Sequence, residues 1–278
     1  MAKIGIIGKG FVGSAVYNGF DLPENDLFVC DPKLEGSYSI REIMVKSPEF
    51  IFVCVPTPVK NLVKIDGTGK DEIGQVETSF VSSVLDEISK YTAPNRNPIV
   101  IVKSTITPDY WQYIPNNLDV VYNPELLRET NGDLDFQNPP CIVLGGEHQW
   151  CMLVESLYKQ HSKVHMLAPY IYTSREMASL FKYTINSWLA TKVSFFNQLY
   201  EIMVTMGLHE NWEHFISMLM ADPRIGPSHM QVPGPDGNFG FGGSCFPKDT
   251  TAFLQFAKSI GVDLSVLKEA VEFNRRIR

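Results

Sequence analysis

No apolar run in this sequence approaches the roughly 20 residues a membrane-crossing helix needs. Residues 1–9 already read as a strand instead of a signal peptide. There is no C-x-x-C pair, and the five cysteines, at positions 30, 54, 141, 151 and 245, are odd in number. That argues against a disulfide framework and against a zinc ribbon, and it predicts free thiols. The six histidines show no H-E-x-x-H or comparable spacing, so no metal is expected. A basic excess is missing too. The net charge of -7 argues against nucleic acid as a partner, and any anionic ligand must be held by local donors. With 44% apolar and 20% charged residues the composition is that of an ordinary globular protein, expected in the cytoplasm and without a membrane partner. A length of 278 residues suggests about two domains at roughly 150 residues each.

What is present is a series of short, continuous apolar runs: 3–7, 27–30, 51–55, 98–102, 119–122 and 141–144. Runs that do not alternate with polar residues suit strands buried on both faces of a parallel sheet. The expected fold is therefore α/β, a Rossmann-like doubly wound parallel sheet, followed by a long connecting helix and a small all-α domain. The expected divisions are 1–170 for the Rossmann-like domain, 171–208 for the helix and 209–278 for the helical domain. Thr173 with Glu176 has the capping-box spacing and Gly207 the terminator position, giving a helix of roughly 50 Å at 1.5 Å per residue. Further helices are expected over 211–220, over 249–260 with Asp249 as N-cap and Gly261 as terminator, and from Asp263 onward. The segment 221–248 between them is a loop rich in proline and glycine.

The stretch G-K-G-F-V-G, residues 8–13, follows a strand and opens a helical pattern. Gly8 would make the tight turn, Gly10 would let a pyrophosphate approach the backbone, and Gly13 would let helix and strand pack closely, with Phe11 and Val12 in the same loop. Asp31 ends the second strand, where a carboxylate binds ribose hydroxyls and repels a 2'-phosphate, so NAD is favoured over NADP. A plain glycine turn with Asp31 as a strand-end cap is the competing reading. At two other strand ends the hydroxyls of Thr57, Ser104 and Thr105 emerge. Glu125 and Glu129, in N-P-E-L-L-R-E-T, stand at a third strand end as acid or base candidates, or merely as the start of a helix. Lys182 and Asn186, spaced i and i+4, share a helix face and can address one ligand, although an isolated pair equally describes a solvated polar stripe. Cys245 sits among glycines in G-F-G-G-S-C-F-P-K-D, four residues before Asp249 and near Lys248. A helix start and a lysine both favour thiolate, which points to covalent chemistry on a carbonyl, against the alternative of an inert loop thiol.

With these residues assembled, the chain resembles the UDP-glucose/GDP-mannose dehydrogenase family over nearly its whole length. G-K-G-F-V-G, V-P-T-P, S-T-I-T-P, N-P-E-L-L-R-E, F-K-Y-T-I-N-S-W-L-A-T-K, D-P-R-I-G-P and F-G-G-S-C-F-P-K-D occur in the family's order. The resemblance implies oxidation of the C6 alcohol of a nucleotide sugar to a carboxylate with reduction of two NAD, UDP-glucose being the favoured sugar. It makes Cys245 the nucleophile that passes through a thiohemiacetal and a thioester. Lys182 and Asn186 become the oxyanion-stabilising pair, with Asp249 paired to the lysine, and Glu129 and Thr105 handle a water and its protons. Thr57 and Thr105 also border the cofactor. Glu125, Leu126 and Arg128 border the substrate, as do Phe239, Gly242 and Gly243 in the cysteine loop. Arg224 reaches into a neighbouring subunit's site, which implies a homodimer through the long helix and the helical domain. Two departures stand out: the family's third, nucleotide-binding domain is expected to be absent, and Cys141 stands where the family usually has an arginine. A two-electron β-hydroxyacid-type dehydrogenase, another nucleotide-hexose dehydrogenase and an inactive NAD-binding remnant are the alternatives.

Overall fold

The structure, a computed structural model, describes residues 1–64, 72–92, 97–128 and 131–278. In chain order its elements are β1 (Ala2–Ile7), α1 (Phe11–Phe20), β2 (Asn25–Cys30), α2 (Ile40–Val45), β3 (Phe50–Val53), β4 (Val59–Lys64), β5 (Glu72–Val76), α3 (Ser79–Ser89) and β6 (Ile99–Val102). A 3₁₀ turn over Pro108–Tyr113 leads to β7 (Asp119–Tyr122), α4 (Gly132–Gln137), β8 (Ile142–Gly145), α5 (His148–His161) and β9 (Tyr170–Thr173). The chain then continues through α6 (Arg175–Thr205), a 3₁₀ turn at His209–Asn211, α7 (Trp212–Met220), α8 (Phe246–Ser259) and α9 (Ser265–Ile277). Two compact units result: Met1–Pro58 with Val76–Lys182, and Val59–Gln75 with Tyr183–Arg278.

The first unit is the Rossmann-like α/β fold, a seven-stranded sheet in the order β2-β1-β3-β6-β7-β8-β9. Consecutive residues of one strand enter opposite cores, which is why the apolar runs are continuous. Ile4, Ile6, Phe52 and Ile101 fill one face, and Ile51, Val53, Val100 and Val102 the other. On the first face Phe20 lies 5.1 Å from Phe52 and 5.3 Å from Tyr158, ring centre to ring centre. Each such fully buried ring is worth roughly 1.5–3 kcal/mol over an exposed one. The order reverses direction at β1, with β2 on one side and β3 on the other, so the crevice outside the carboxyl ends of these strands is the switch point.

Six strands coincide with the apolar runs, and two features differ from expectation. The sheet is not wholly parallel, because β8 runs antiparallel to β7, and β9 extends it as an edge strand parallel to β8. Its residues Y-I-Y-T are half-buried or exposed, as an edge permits, so they carry no continuous apolar signal. Thr173 is consequently the last residue of a strand, paired with Gly145, and not a helix cap. The cap of α6 is Ser174, whose hydroxyl accepts from the Met177 amide at 3.2 Å, so the expected box of Thr173 and Glu176 does not form. At the other end Gly207 terminates the helix as expected, at φ +70 with the Leu208 amide donating to the Met203 carbonyl at 2.8 Å.

The second unit packs helices around Phe196, Trp212, Ile216 and Met230, and around Ala190, Phe241, Leu267 and Val271. It also takes in the two-stranded sheet of β4 and β5, an element without a signal among the apolar runs. The start of α8 differs from the expected one. The helix begins at Phe246 with Pro247 in its first turn, where a missing amide costs nothing, and Cys245 itself occupies the N-cap position. Asp249 therefore lies inside the helix, 1% exposed, instead of capping it. Gly261 ends α8 as expected, with the Val262 amide donating to the Ala257 carbonyl at 2.8 Å. Among the described residues no helix is long and apolar enough to cross a membrane.

Candidate active site

In the first unit each fingerprint glycine has a physical reason. Gly8 has φ +87, and a side chain there would press on the Cys54 carbonyl oxygen, 2.7 Å from an added Cβ. A Cβ on Gly13 would overlap the Gly8 carbonyl, so only glycine lets α1 leave β1 this closely. A Cβ on Gly10, the N-cap residue of α1, would meet nothing within 4 Å, and no side chain caps the first amides of the helix. That is a cradle for a pyrophosphate. Phe11, 45% exposed, lays its ring over Gly132, and Val12 packs against the core behind the loop. Asp31 holds the loop from beside it. Its carboxylate accepts the Lys9 amide at 2.6 Å and the Lys33 amide at 2.8 Å, and these bonds, the Lys9 one foremost, keep its pKa below the usual carboxylate value. The open cradle, uncapped amides and adjacent acid fit NAD. Thr57 and Thr105, both buried, follow β3 and β6 at the same edge, and the Ser104 hydroxyl donates to the Val55 carbonyl at 2.7 Å.

Behind this edge lies a buried charge cluster. The Lys182 ammonium donates to the Glu125 carboxylate at 2.8 Å and to its backbone carbonyl at 2.7 Å, while the Leu127 amide donates to the other carboxylate oxygen at 2.7 Å. Burial pushes the Glu125 carboxyl up, but Lys182, the Leu127 amide and Lys103 together hold it below its ordinary value. Lys103 was not among the expected site residues. Its ammonium donates to Asn123 Oδ1 at 2.9 Å, an oxygen that also accepts the Tyr158 hydroxyl at 2.7 Å. Burial, with the charge of Lys182 adding to it, lowers the Lys103 pKa to about 8 against the opposing pull of Cys54 and Glu125. The available signal was a lysine directly after the buried run I-V-I-V. Leu126 is half-buried, and the exposed Arg128 is engaged by Asp135 at 2.6 Å. Cys141 lines a cavity of about 40 Å³ with Lys103, Glu125 and Tyr158. Glu129 lies outside the described residues.

In the second unit Cys245 is partly exposed at the N-cap of α8, its sulfur 3.6 Å from the Ser244 hydroxyl. The Asp249 amide donates to the Cys245 carbonyl at 2.8 Å, closing the first turn beneath the thiol. The Asp249 carboxylate accepts from the Asn186 side chain at 2.5 Å and pairs with Lys248. Within the first unit Lys182 thus pairs with Glu125, and within the second Asp249 pairs with Asn186 and Lys248. Lys182 and Asn186 stand one turn apart on α6, at the end of the first unit and near the start of the second. Phe239 is 44% exposed beside Tyr200, and Gly243 has a φ of +74, which favours glycine. Arg224 is largely solvent-exposed and doubly bonded to Asp222, while the buried Lys192 donates to the Ile225 and Gly226 carbonyls at 3.0 and 3.1 Å and so anchors that loop.

A Rossmann-like unit whose glycine loop and acid are shaped for a dinucleotide, in one chain with a unit that exposes a thiol, defines a dinucleotide-binding protein of the dehydrogenase type. Residues 29–162 match the NAD binding domain and residues 176–276 the central domain of the UDP-glucose/GDP-mannose dehydrogenase family. The chain belongs to that family. It is 30% identical to the UDP-glucose 6-dehydrogenase TuaD of Bacillus subtilis (strain 168), over 100% of this chain and 64% of that protein. To the UDP-glucose 6-dehydrogenase of Rickettsia felis it is 30% identical over 84% of this chain and 49% of that one. The chain thus spans about half to somewhat under two thirds of the curated relatives' length. Among solved structures, a UDP-glucose dehydrogenase from Pyrobaculum islandicum superposes with a TM-score of 0.79 at 25% identity, covering 99% of this chain and 68% of that one. The 3-hydroxyisobutyrate dehydrogenase of Mycobacterium tuberculosis shares the fold, with a TM-score of 0.75 at 13% identity over 99% and 93% of the two chains.

Proposed function

We propose that this protein oxidises the C6 alcohol of a nucleotide sugar, UDP-glucose foremost, to the carboxylate with NAD. The observation that carries the reading is the Cys245 thiol at the first turn of α8, above buried Asp249 and Asn186, in a chain whose other unit matches an NAD binding domain. NAD bound at the Gly8–Gly13 loop supplies the hydride acceptor, one molecule for each of two two-electron steps. Asp31 orients the ribose, and the α1 amides receive the pyrophosphate. Cys245 adds its sulfur to the C6 aldehyde, forming a C–S bond while the carbonyl oxygen becomes an oxyanion that takes up the thiol proton. Loss of hydride from the carbon and of the proton from the hydroxyl of that thiohemiacetal leaves the thioester, and water then cleaves the C–S bond, releasing the acid and returning the thiol. Lys182, fixed by Glu125, and Asn186, fixed by Asp249, supply the cation and the amide donor for the oxyanions. Thr105 and Glu129 take the roles of water and proton carriers.

A homodimer and a cytoplasmic setting belong to the same reading. Trp188, Phe195 and Ile202 recur every seven residues along α6 and are 63%, 55% and 54% exposed, a stripe suited to a second copy of the helix, and Arg224 would reach the neighbour's substrate. Stoichiometry tests the function: UDP-glucose in limiting amount must yield two NADH per sugar, and a yield of one sinks the four-electron route. Light scattering of Phe195→Glu tests the dimer, which must dissociate.

A further inference from the structure

The glycine-rich segment that precedes Cys245 contains Gly237, Gly240, Gly242 and Gly243, and glycine loses more conformational freedom on ordering than any other residue. Nothing in its own composition would hold one conformation. Two buried asparagines from different helices do so. Asn197 of α6, 4% exposed, accepts the Gly240 amide at 3.0 Å. Asn274 of α9, 7% exposed, accepts the Phe241 amide at 2.6 Å and donates to the Phe241 carbonyl at 2.9 Å, a reciprocal pair of the kind strands exchange. The fit at Gly240 is close, since an added Cβ would overlap Asn274 Oδ1. From outside, the Arg278 guanidinium donates to the Phe239 and Gly240 carbonyls at 3.3 and 3.4 Å, and it pairs with Asp236. The strap is tied onward to α8: the Phe241 ring packs edge-on against Phe246 at 6.2 Å, and Phe246 is the residue after Cys245.

We infer that Asn197 and Asn274 are positioning residues that clasp the Gly240–Phe241 strap and thereby fix Cys245 at the first turn of α8. The consequence for chemistry rests on the proposed function, in which Cys245 is the nucleophile; the effect on the thiol itself does not. Amides are the right groups for this, because each side chain offers an acceptor and a donor, and an aspartate at either place keeps the acceptor and loses the donor. At Asn274 the lost donor faces the Phe241 carbonyl, so Asn274→Asp sets two oxygens against each other in a buried place. At Asn197 the lost donor faced the Val193 carbonyl one turn back on the same helix, so Asn197→Asp sets two oxygens against each other within α6 and keeps the acceptor for the Gly240 amide, and with it the clasp.

The test compares these two isosteric variants with the unaltered protein by three measurements: the rate constant for iodoacetamide modification of Cys245, followed on its own peptide; hydrogen exchange at residues 240–241; and kcat alongside the Kd for NAD. Asn274→Asp is expected to speed exchange at both amides, to slow alkylation about tenfold as the thiol leaves the helix start, and to lower kcat by about tenfold to a hundredfold through misplacement. NAD affinity, a property of the first unit, stays within about twofold, well under the 1.4 kcal/mol of a tenfold change. Asn197→Asp keeps alkylation and kcat within about threefold of the parent, under 1 kcal/mol on the same scale. If Asn274→Asp does not fold, Asn197→Leu, which removes the Gly240 bond, must slow alkylation beyond that same margin. Faster exchange with unchanged alkylation overturns the inference, as does a parallel loss of NAD affinity. Full acid formation by Cys245→Ala overturns instead the nucleophile reading, and the alkylation result still decides the clasp.

Discussion

The two units use their buried polar groups differently. In the first, Lys182 donates to both the carboxylate and the carbonyl of Glu125, while Lys103, its pKa lowered by burial, donates to the side-chain oxygen of Asn123. In the second, the Asp249 carboxylate takes Lys248 and the Asn186 amide at the first turn of α8. The first unit sets buried lysines behind the carboxyl ends of its strands, and the second sets a buried carboxylate beneath the turn that carries a thiol.

The contrast can be broken at several points, the largest effect first. Cys245→Ala should abolish acid formation, about a thousandfold or more as for other nucleophiles, while NAD binding to the first unit persists; measured NADH release with UDP-glucose checks it. Glu125→Gln should cost about 3 kcal/mol in urea unfolding, since the carboxylate takes Lys182 on one oxygen and the Leu127 amide on the other, and a glutamine must turn its NH2 toward one of these donors. A loss below 1 kcal/mol would mean that the pair is not truly buried.

Lys103 offers the pH test. Its folded pKa, about 8, lies below the ordinary 10.5, so the folded chain releases this proton before the unfolded chain does. Its contribution must therefore rise with pH between those values and be least favourable at neutrality and below, about 3 kcal/mol across the window. Lys103→Met should remove that rise, seen as a growing difference between the two proteins' unfolding free energies as pH falls from 10.5 to 8. The smallest effect belongs to Asp31→Ala, expected to weaken NAD about tenfold by calorimetry through the loss of charged hydrogen bonds.

How far the sequence was readable follows the same division. Strands buried on both faces declared themselves by unbroken apolar runs, and Gly8, Gly13, Gly207 and Gly261 by the backbone each position requires. Edge strand β9 did not, because half-exposed residues have no such run. Asp249 resembled a cap because acids favour helix starts, yet Pro247 had already marked an earlier beginning. Lys103 left a faint mark, a lysine directly after a buried run, but its partner is a side chain 20 residues on. Asn197 and Asn274 were silent for a different reason: they bond the backbone of residues 240 and 241, and a side chain that satisfies distant backbone leaves no periodicity to detect.

Asp31 has a consequence for redesign. An ionised carboxylate accommodates about four donors, and two places are already filled by the Lys9 and Lys33 amides. What remains suffices for one vicinal diol. Exchanging Asp31 to admit a phosphorylated ribose would therefore also release the Lys9 amide of the glycine loop, so a switch of coenzyme preference calls for two compensations, a cation for the phosphate and a new acceptor for the loop.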